Sequence, residues 1–193
     1  MIESVMTRKN LSVKTKIMVK SALCAVLVAL SVALPQIAHL AGGASAGVKF
    51  LPMYLPVLMA GCLLGPVCGL CVAVASPLVS FALTSAVGNA MPAAARLPFV
   101  LAELAVMAAV AGAFERKIAK NPWWVTVACA CALVAGRGVF ALLALLLQKV
   151  SAMTFATAIA QIETGLIGAA LIWIITCVVT LTLHKVLNND DKK

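Results

Sequence analysis

The chain has 193 residues, of which 64% are hydrophobic and only 11% are charged, and its mean hydropathy is +1.11. Soluble domains are about half apolar and about a quarter charged, so this composition excludes an ordinary soluble domain and indicates a polytopic membrane protein. The net charge is +9, and five of the fifteen basic residues lie within the first twenty positions: Arg8, Lys9, Lys14, Lys16 and Lys20. This clustering favours a cytoplasmic tail on anionic lipid over a nucleic-acid-binding face.

Six apolar runs follow the basic tail, which we place at residues 1–16. They cover residues 17–38, 52–64, 66–86, 97–114, 123–147 and 162–183. A helix rises about 1.5 Å per residue, so about 20 residues cross the hydrocarbon, and four of the runs are long enough by themselves. The stretch 52–86 is ambiguous, because it could be one long kinked helix or two spans.

The basic segments decide between these alternatives. The N-terminal tail and the loop ERKIAK at 115–120 are both net basic, so both are predicted to be cytoplasmic. An even number of spans must separate them, so 52–86 supplies two spans with a reversal at Gly65-Pro66. We therefore predict an all-α membrane protein with six transmembrane helices within residues 17–185. Both ends are cytoplasmic, including a C-terminal tail at 186–193.

The residues that interrupt the segment FLPMYLPVLMAGCLLGPVCGL at 50–70 fit this topology. Pro52 and Pro56 fall near the start of the second helix, where a missing N–H costs little. Gly61, Gly65 and Gly69 are spaced four apart, which predicts close packing of the second and third helices. The second run has only about 13 residues, so its helix is short, tilted or shielded by protein.

Metal and catalytic motifs are weak in this sequence. All seven cysteines lie inside apolar runs and are interpreted as packing residues: Cys24, Cys62, Cys68, Cys71, Cys129, Cys131 and Cys177. Cys68-x-x-Cys71 has the spacing of half a zinc site, but no second pair stands ready to complete it. The motifs G-x-x-x-x-G-K-[ST], H-E-x-x-H and G-x-S-x-G do not occur. We expect no enzyme activity, metal or cofactor.

Strongly polar residues outside the basic segments collect in the predicted outer half of the bundle. By helical rise, Glu103 lies about 8 Å below the outer end of the fourth helix, and Arg137 about 22 Å along the fifth. The others fall at outer helix ends or in outer loops: Gln36, His39, Lys49, Tyr54, Asn89, Arg96, Gln161 and Glu163. Because a charge in the bilayer is costly, this cluster predicts a ligand pocket that opens outward and is closed below by apolar helices.

Each of these residues also has a structural interpretation. Glu103 and Arg137 could only neutralise each other as an ion pair, Arg96 could snorkel at the interface, and Gln36 and His39 could cap a helix end. The residues that we take as candidates for binding a substrate are Glu103, Arg137, Arg96, Glu163, His39, Gln36, Tyr54 and Asn89.

Three segments carry a resemblance to a known family: residues 50–70, SPLVSFALT at 76–84 and LPFVLAELAVMAAVAGAFERK at 97–117. They resemble the substrate-binding S components of energy-coupling factor (ECF) vitamin transporters, over residues 15–185. Ala25-xxx-Ala29 is similar to the Ala-xxx-Ala motif of the family's first helix. The resemblance implies a compact six-helix S component in a bacterial plasma membrane. Such a subunit captures a small water-soluble vitamin or related micronutrient from outside.

The resemblance also implies partners. An S component docks on a transmembrane coupling subunit that works with two cytosolic ATPases, and it topples in the membrane to release its substrate inward. Ala25, Ala29 and Ala33 would then form the docking stripe. The connection at 35–51, with its flexible AGGASAG, would close over the substrate. The expected partners are these subunits, the substrate and membrane lipid, but no nucleic acid.

The polar cluster contains both signs of charge. This mixture suits a small polar or zwitterionic molecule, or a carboxylate held by arginine. A pantothenate-like carboxylate is the first candidate, and a pyridoxine-like, pyrimidine or deazapurine precursor stays open. Two other functions also stay open: a structural or assembly membrane protein with paired intramembrane charges, and a stand-alone small-molecule transporter.

Overall fold

The structure is a computed structural model that describes residues 1–2, 6–7, 10, 12–43, 46–86, 88, 91–149 and 153–190. Within these residues the chain forms helices joined by turns. The helices are α1 (Val13–Gly42), α2 (Ala46–Phe50), α3 (Tyr54–Leu64), α4 (Pro66–Ala86), α5 (Leu97–Ala113), α6 (Glu115–Lys120), α7 (Trp124–Leu147) and α8 (Phe155–Asp190), with a 3₁₀ turn at Ala94–Arg96.

Five helices are long and apolar enough to cross a bilayer, namely α1, α4, α5 together with the 3₁₀ turn before it, α7 and α8. The sixth apolar helix, α3, has 11 residues, nine of which are buried. At about 1.5 Å per residue it is about 16 Å long, which is shorter than the hydrocarbon core. The all-α membrane fold is confirmed for the described residues. The predicted second span is therefore a short helix that does not reach across the membrane by its own length. Its buried residues show that its neighbours enclose it.

Three predicted boundaries differ from the structure. The connection expected at 35–51, with its flexible AGGASAG, is wrong as a loop in its described part, since α1 continues to Gly42, four residues beyond the predicted run, and residues 46–50 form α2. Helix α8 begins at Phe155 rather than near 162. Thr154, the residue just before it, accepts a hydrogen bond of 3.3 Å at Oγ1 from the Thr157 N–H, as in an N-cap. Gln161 and Glu163 therefore lie inside α8 rather than at its end. The same helix runs to Asp190, into the predicted tail.

The reversal between α3 and α4 follows the prediction. Gly65 ends α3 with φ +93°, a conformation that favours glycine, and its N–H donates to Gly61 O at 3.1 Å. A Cβ added at Gly69 would come within 2.9 Å of Gly61 Cα, and one added at Gly61 within 2.9 Å of Ala111 Cβ. The glycine spacing thus brings α3 and α4 together and seats α3 against α5.

Several predicted cytoplasmic features share one end of the bundle. The Met1 ammonium lies 2.5 Å from Glu115 Oε1 and 3.3 Å from Leu63 O. A Cβ added at Gly65 would lie 3.0 Å from Glu115 Oε2. The N-terminal residue, the α3–α4 reversal and the start of α6 therefore meet, as the charge argument requires. The opposite ends of the helices hold the polar cluster.

Candidate ligand-binding site

A cavity of about 290 Å³ lies at the end of the bundle opposite Gly65 and Glu115. Its walls come from the end of α1, from α2 and the turn that follows it, from the start of α3, from α4, α5 and the connection between them, and from α7 and α8. The lining residues are Pro35, His39, Gly47, Leu51, Pro52, Met53, Tyr54, Ser80, Met91, Pro92, Ala93, Arg96, Val100, Arg137, Phe140 and Gln161.

One wall of this cavity is backed by a polar network of three side chains from three helices, which we call the Tyr–Glu–Arg triad: Tyr54 (α3), Glu103 (α5) and Arg137 (α7). The Tyr54 hydroxyl donates to Glu103 Oε2 at 2.6 Å, and Arg137 Nη1 lies 3.2 Å from Glu103 Oε1. The Arg137 guanidinium also lies over the Tyr54 ring, 5.3 Å from its centroid. Because Tyr54 and Arg137 line the cavity and the fully buried Glu103 does not, the carboxylate lies behind them.

A glycine next to Arg137 makes this geometry possible. A Cβ added at Gly136 would clash with the Met107 side chain and lie 3.3 Å from Glu103 O. The backbones of α5 and α7 therefore approach each other closely at this level. As a result the Arg137 side chain reaches the Glu103 carboxylate.

Several hydrogen-bonding atoms of the site lack a protein partner. Among the described residues, Arg137 Nη2, Glu103 Oε1 and Gln36 Nε2 are buried and make no hydrogen bond with acceptable geometry. Arg137 Nη1 and Glu103 Oε1 thus attract each other as charges without an aligned hydrogen bond. A buried polar group without a partner costs about 1–3 kcal/mol, and these atoms are two donors, Arg137 Nη2 and Gln36 Nε2, and one acceptor, Glu103 Oε1.

The other candidate residues divide into three groups. Arg96 and His39 line the cavity, and the His39 Nδ1–H donates to Gly43 O at 3.1 Å. Gln36 is not a lining residue but follows the lining residue Pro35 in α1. Glu163 is exposed and does not line the cavity. Asn89 lies outside the described residues.

Two hydroxyls in α4 that were not among the predicted site residues help to shape the cavity. Ser80 Oγ donates to Met91 O at 2.8 Å, and the Met91 N–H donates to Thr84 Oγ1 at 2.8 Å. These bonds hold Met91, a lining residue, against α4. The signal was present in SPLVSFALT, because Ser80 and Thr84 are four residues apart and therefore share one face of a helix.

The alanines of the proposed docking stripe lie on a free surface of α1. Ala25, Ala29 and Ala33 are all exposed, so the described part of the chain does not cover them. The same part of the chain contains no group of three or more His, Cys, Asp or Glu residues that could hold a metal ion.

Comparison with protein families agrees with this architecture. The model of the family described as "ECF transporter, substrate-specific component" matches residues 16–180, which include the triad and all the lining residues. No curated protein and no solved structure matches the chain. The chain belongs to the family of substrate-specific components of ECF transporters, and it is a membrane-embedded subunit of a transporter.

Proposed function

We propose that this chain captures a small water-soluble vitamin or related micronutrient outside a bacterial plasma membrane and delivers it to an ATP-driven ECF importer. The observation that carries the proposal is the cavity of about 290 Å³ at the predicted outer end of the bundle, backed by the buried Tyr–Glu–Arg triad. At the predicted inner end the helices close on each other at Gly61, Gly69 and Ala111.

The size and lining of the cavity suit a small amphipathic molecule. Ligand pockets usually measure about 300–1,000 Å³, so this one is at the small end of the range. Arg137, Arg96 and His39 supply polar contacts, while residues such as Val100 and Phe140 supply apolar ones. A pantothenate-like carboxylate fits this description and is our first candidate substrate.

Family membership implies association with a transmembrane coupling subunit and with ATPases. The sequence contains no phosphate-binding motif of its own, so we assign ATP hydrolysis to two cytosolic partner subunits. The exposed Ala25, Ala29 and Ala33 are the proposed contact with the coupling subunit, since small side chains let helices approach closely.

Native mass spectrometry of the purified chain tests the proposal. We expect a retained metabolite, and we expect that adding the same compound raises the thermal midpoint. At a concentration of about 100 Kd, ligand adds about 2.7 kcal/mol to the free energy of unfolding.

Two results would contradict this function. If the protein retains no small molecule and its thermal midpoint does not change when a panel of vitamins is added, it is instead a structural or assembly protein with paired charges. Substrate uptake by liposomes that contain only this chain, without ATPases, would identify a stand-alone transporter.

A further inference from the structure

We infer that the substrate of this site carries a carboxylate, that Arg137 binds it, and that Glu103 is a positioning residue that never contacts it. The inference rests on the proposed function and goes further, because it assigns separate roles to the two members of the ion pair and an orientation to the ligand.

The lining of the cavity is positively charged. Two lining residues, Arg96 and Arg137, are cationic, and none is Asp or Glu. The Glu103 carboxylate compensates one of these charges from behind the wall. The charge of Arg96, which is exposed, has no such counterpart among the described lining residues, so the lining remains positive and favours an anion, while the buried donors decide which arginine binds it. A ligand with one negative charge makes the occupied site neutral.

Arg137 and Gln36 hold buried hydrogen-bond donors that have no acceptor in the described part of the chain. An arginine guanidinium has five N–H donors and no acceptor, and it binds carboxylates with two parallel hydrogen bonds. Only Nη1 of Arg137 faces Glu103, and buried Nη2 has no hydrogen-bond partner in the described part of the chain. Gln36 Nε2, in the helical turn that also supplies Pro35 and His39 to the lining, is a second buried donor without an acceptor. The unpaired acceptor of this group, Glu103 Oε1, faces Arg137 Nη1 behind the cavity wall, so the two donors favour an acceptor on the ligand over an ammonium group.

Glu103 lies behind the cavity wall and does not reach the ligand. Its side chain is fully buried and lies outside the lining, with Oε2 bonded to the Tyr54 hydroxyl and Oε1 facing Arg137 Nη1. Glu103 thus holds one edge of the guanidinium from below while Tyr54 supports its face. The rest of the guanidinium is left for the substrate.

The remaining lining determines the other end of the ligand. Leu51, Met53, Val100 and Phe140 offer apolar contacts and no charge. The acid group is therefore directed towards Arg137, and the body of the molecule packs against these side chains. The substrate class is a small monocarboxylic acid with an uncharged body.

Matched pairs of acid and neutral compounds test this inference on the purified full-length chain. Suitable pairs are pantothenate with pantothenyl alcohol, nicotinate with nicotinamide, and biotin with its amide, and titration calorimetry gives each Kd. We expect one acid to bind at least about tenfold more tightly than its neutral partner, which corresponds to about 1.4 kcal/mol. Equal affinity for the two members of the binding pair would overturn the carboxylate anchor.

Variants then separate the roles of the triad. Glu103→Gln retains an acceptor for Tyr54 and removes a negative charge, so the acid should bind as tightly as before or more tightly. Arg137→Gln should lose at least about tenfold in affinity for the acid and little for its neutral partner. The double variant Glu103→Gln/Arg137→Gln leaves no unpaired buried charge, so it tests the same loss if the single variant fails to fold. Arg116→Gln, at the opposite end of the bundle, is the control and should change nothing.

The outcomes distinguish this inference from the function on which it rests. If the protein retains a metabolite without a carboxylate and no acid binds, the carboxylate assignment is wrong and the capture function stands. If nothing is retained and no compound binds, both fail. A Glu103→Gln variant that folds but weakens the neutral partner as much as the acid would overturn the positioning role, because an effect that acts through Arg137 falls on the acid alone.

Discussion

The Tyr54 hydroxyl donates a hydrogen bond of 2.6 Å to the Glu103 carboxylate, and both side chains are buried. Tyr54 is the first residue of α3 and Glu103 lies within α5, so this bond ties the short enclosed helix to a neighbour that spans the membrane. Hydrogen bonds to an ionised acceptor are about twice as strong as neutral ones, and low surrounding polarity strengthens them further.

We expect Tyr54→Phe to destabilise the protein by about 1.5–3 kcal/mol, because it removes the hydroxyl donor and leaves the carboxylate oxygen unsatisfied while the ring stays in place. The thermal midpoint in detergent, followed by tryptophan fluorescence, measures the effect. Thr164→Val is the control, since the exposed Thr164 hydroxyl bonds only to Ala160 O of its own helix. Equal midpoints for the two variants would show that the Tyr54–Glu103 bond contributes nothing.

The Glu103–Arg137 pair gives a second prediction, about stability rather than binding. Arg137→Gln alone leaves Glu103 buried without a counter-charge, which should cost about 3–5 kcal/mol. Adding Glu103→Gln removes the buried, unpaired carboxylate, so the double variant should recover most of the lost stability. Thermal midpoints of the wild type, the two single variants and the double variant form the measurement. Strictly additive effects would mean that the two groups do not interact.

Hydropathy and charge predicted most of the fold and the depth of the site. The apolar runs located the five long helices and the short α3, although α3 is too short to be the predicted sixth span. The paired basic segments placed Gly65-Pro66 at the same end as Glu115, where the structure has them. Counting the rise along α5 and α7 brought Glu103 and Arg137 to a similar level. Depth depends only on helical rise, and for that reason a single sequence can supply it.

The direction of each side chain around its helix was harder to predict. Glu163 is exposed and does not line the cavity, and the sequence of α8 has no pronounced polar face from which this direction could have been predicted. Helix α2 was missed because AGVKF is short and has little pattern. The first apolar run passed Pro35 and ended at residue 38, whereas α1 continues to Gly42.

The contact between α2 and α8 leads to a third prediction. A Cβ added at Gly168 would clash with the backbone of Lys49 and Phe50, just before Leu51, which lines the cavity with φ +50°. Gly168→Ala should push this segment out of place and weaken binding of the retained metabolite by about tenfold or more. Calorimetric Kd values measure the change.

A matched glycine provides the control for Gly168. Gly138 lies inside α7, and a Cβ added there would meet nothing within 4 Å. Gly138→Ala should leave the Kd unchanged and stabilise the helix by about 0.5–1 kcal/mol. If Gly168→Ala bound the metabolite as well as Gly138→Ala does, the close approach of α2 to α8 would not shape the cavity.

The exposed alanines of α1 give the last prediction, which concerns the partner rather than the substrate. Ala25, Ala29 and Ala33 are four residues apart, so they share one face of the helix. Small residues at such a face let a second helix approach closely, and a large side chain there keeps the helices apart. Ala29→Trp should therefore abolish co-purification with the coupling subunit while the Kd for the retained metabolite stays the same.

The control for this substitution is Val134→Trp in α7, where the side chain is already 75% exposed, so that a tryptophan replaces one lipid-facing residue by another. We expect this control to bind both the metabolite and the coupling subunit normally. Loss of docking in both variants would mean that any added bulk prevents assembly, and intact docking of Ala29→Trp would place the contact elsewhere. Loss in Ala29→Trp alone assigns the docking surface to the alanine face of α1 and separates it from the cavity, whose walls do not include these alanines.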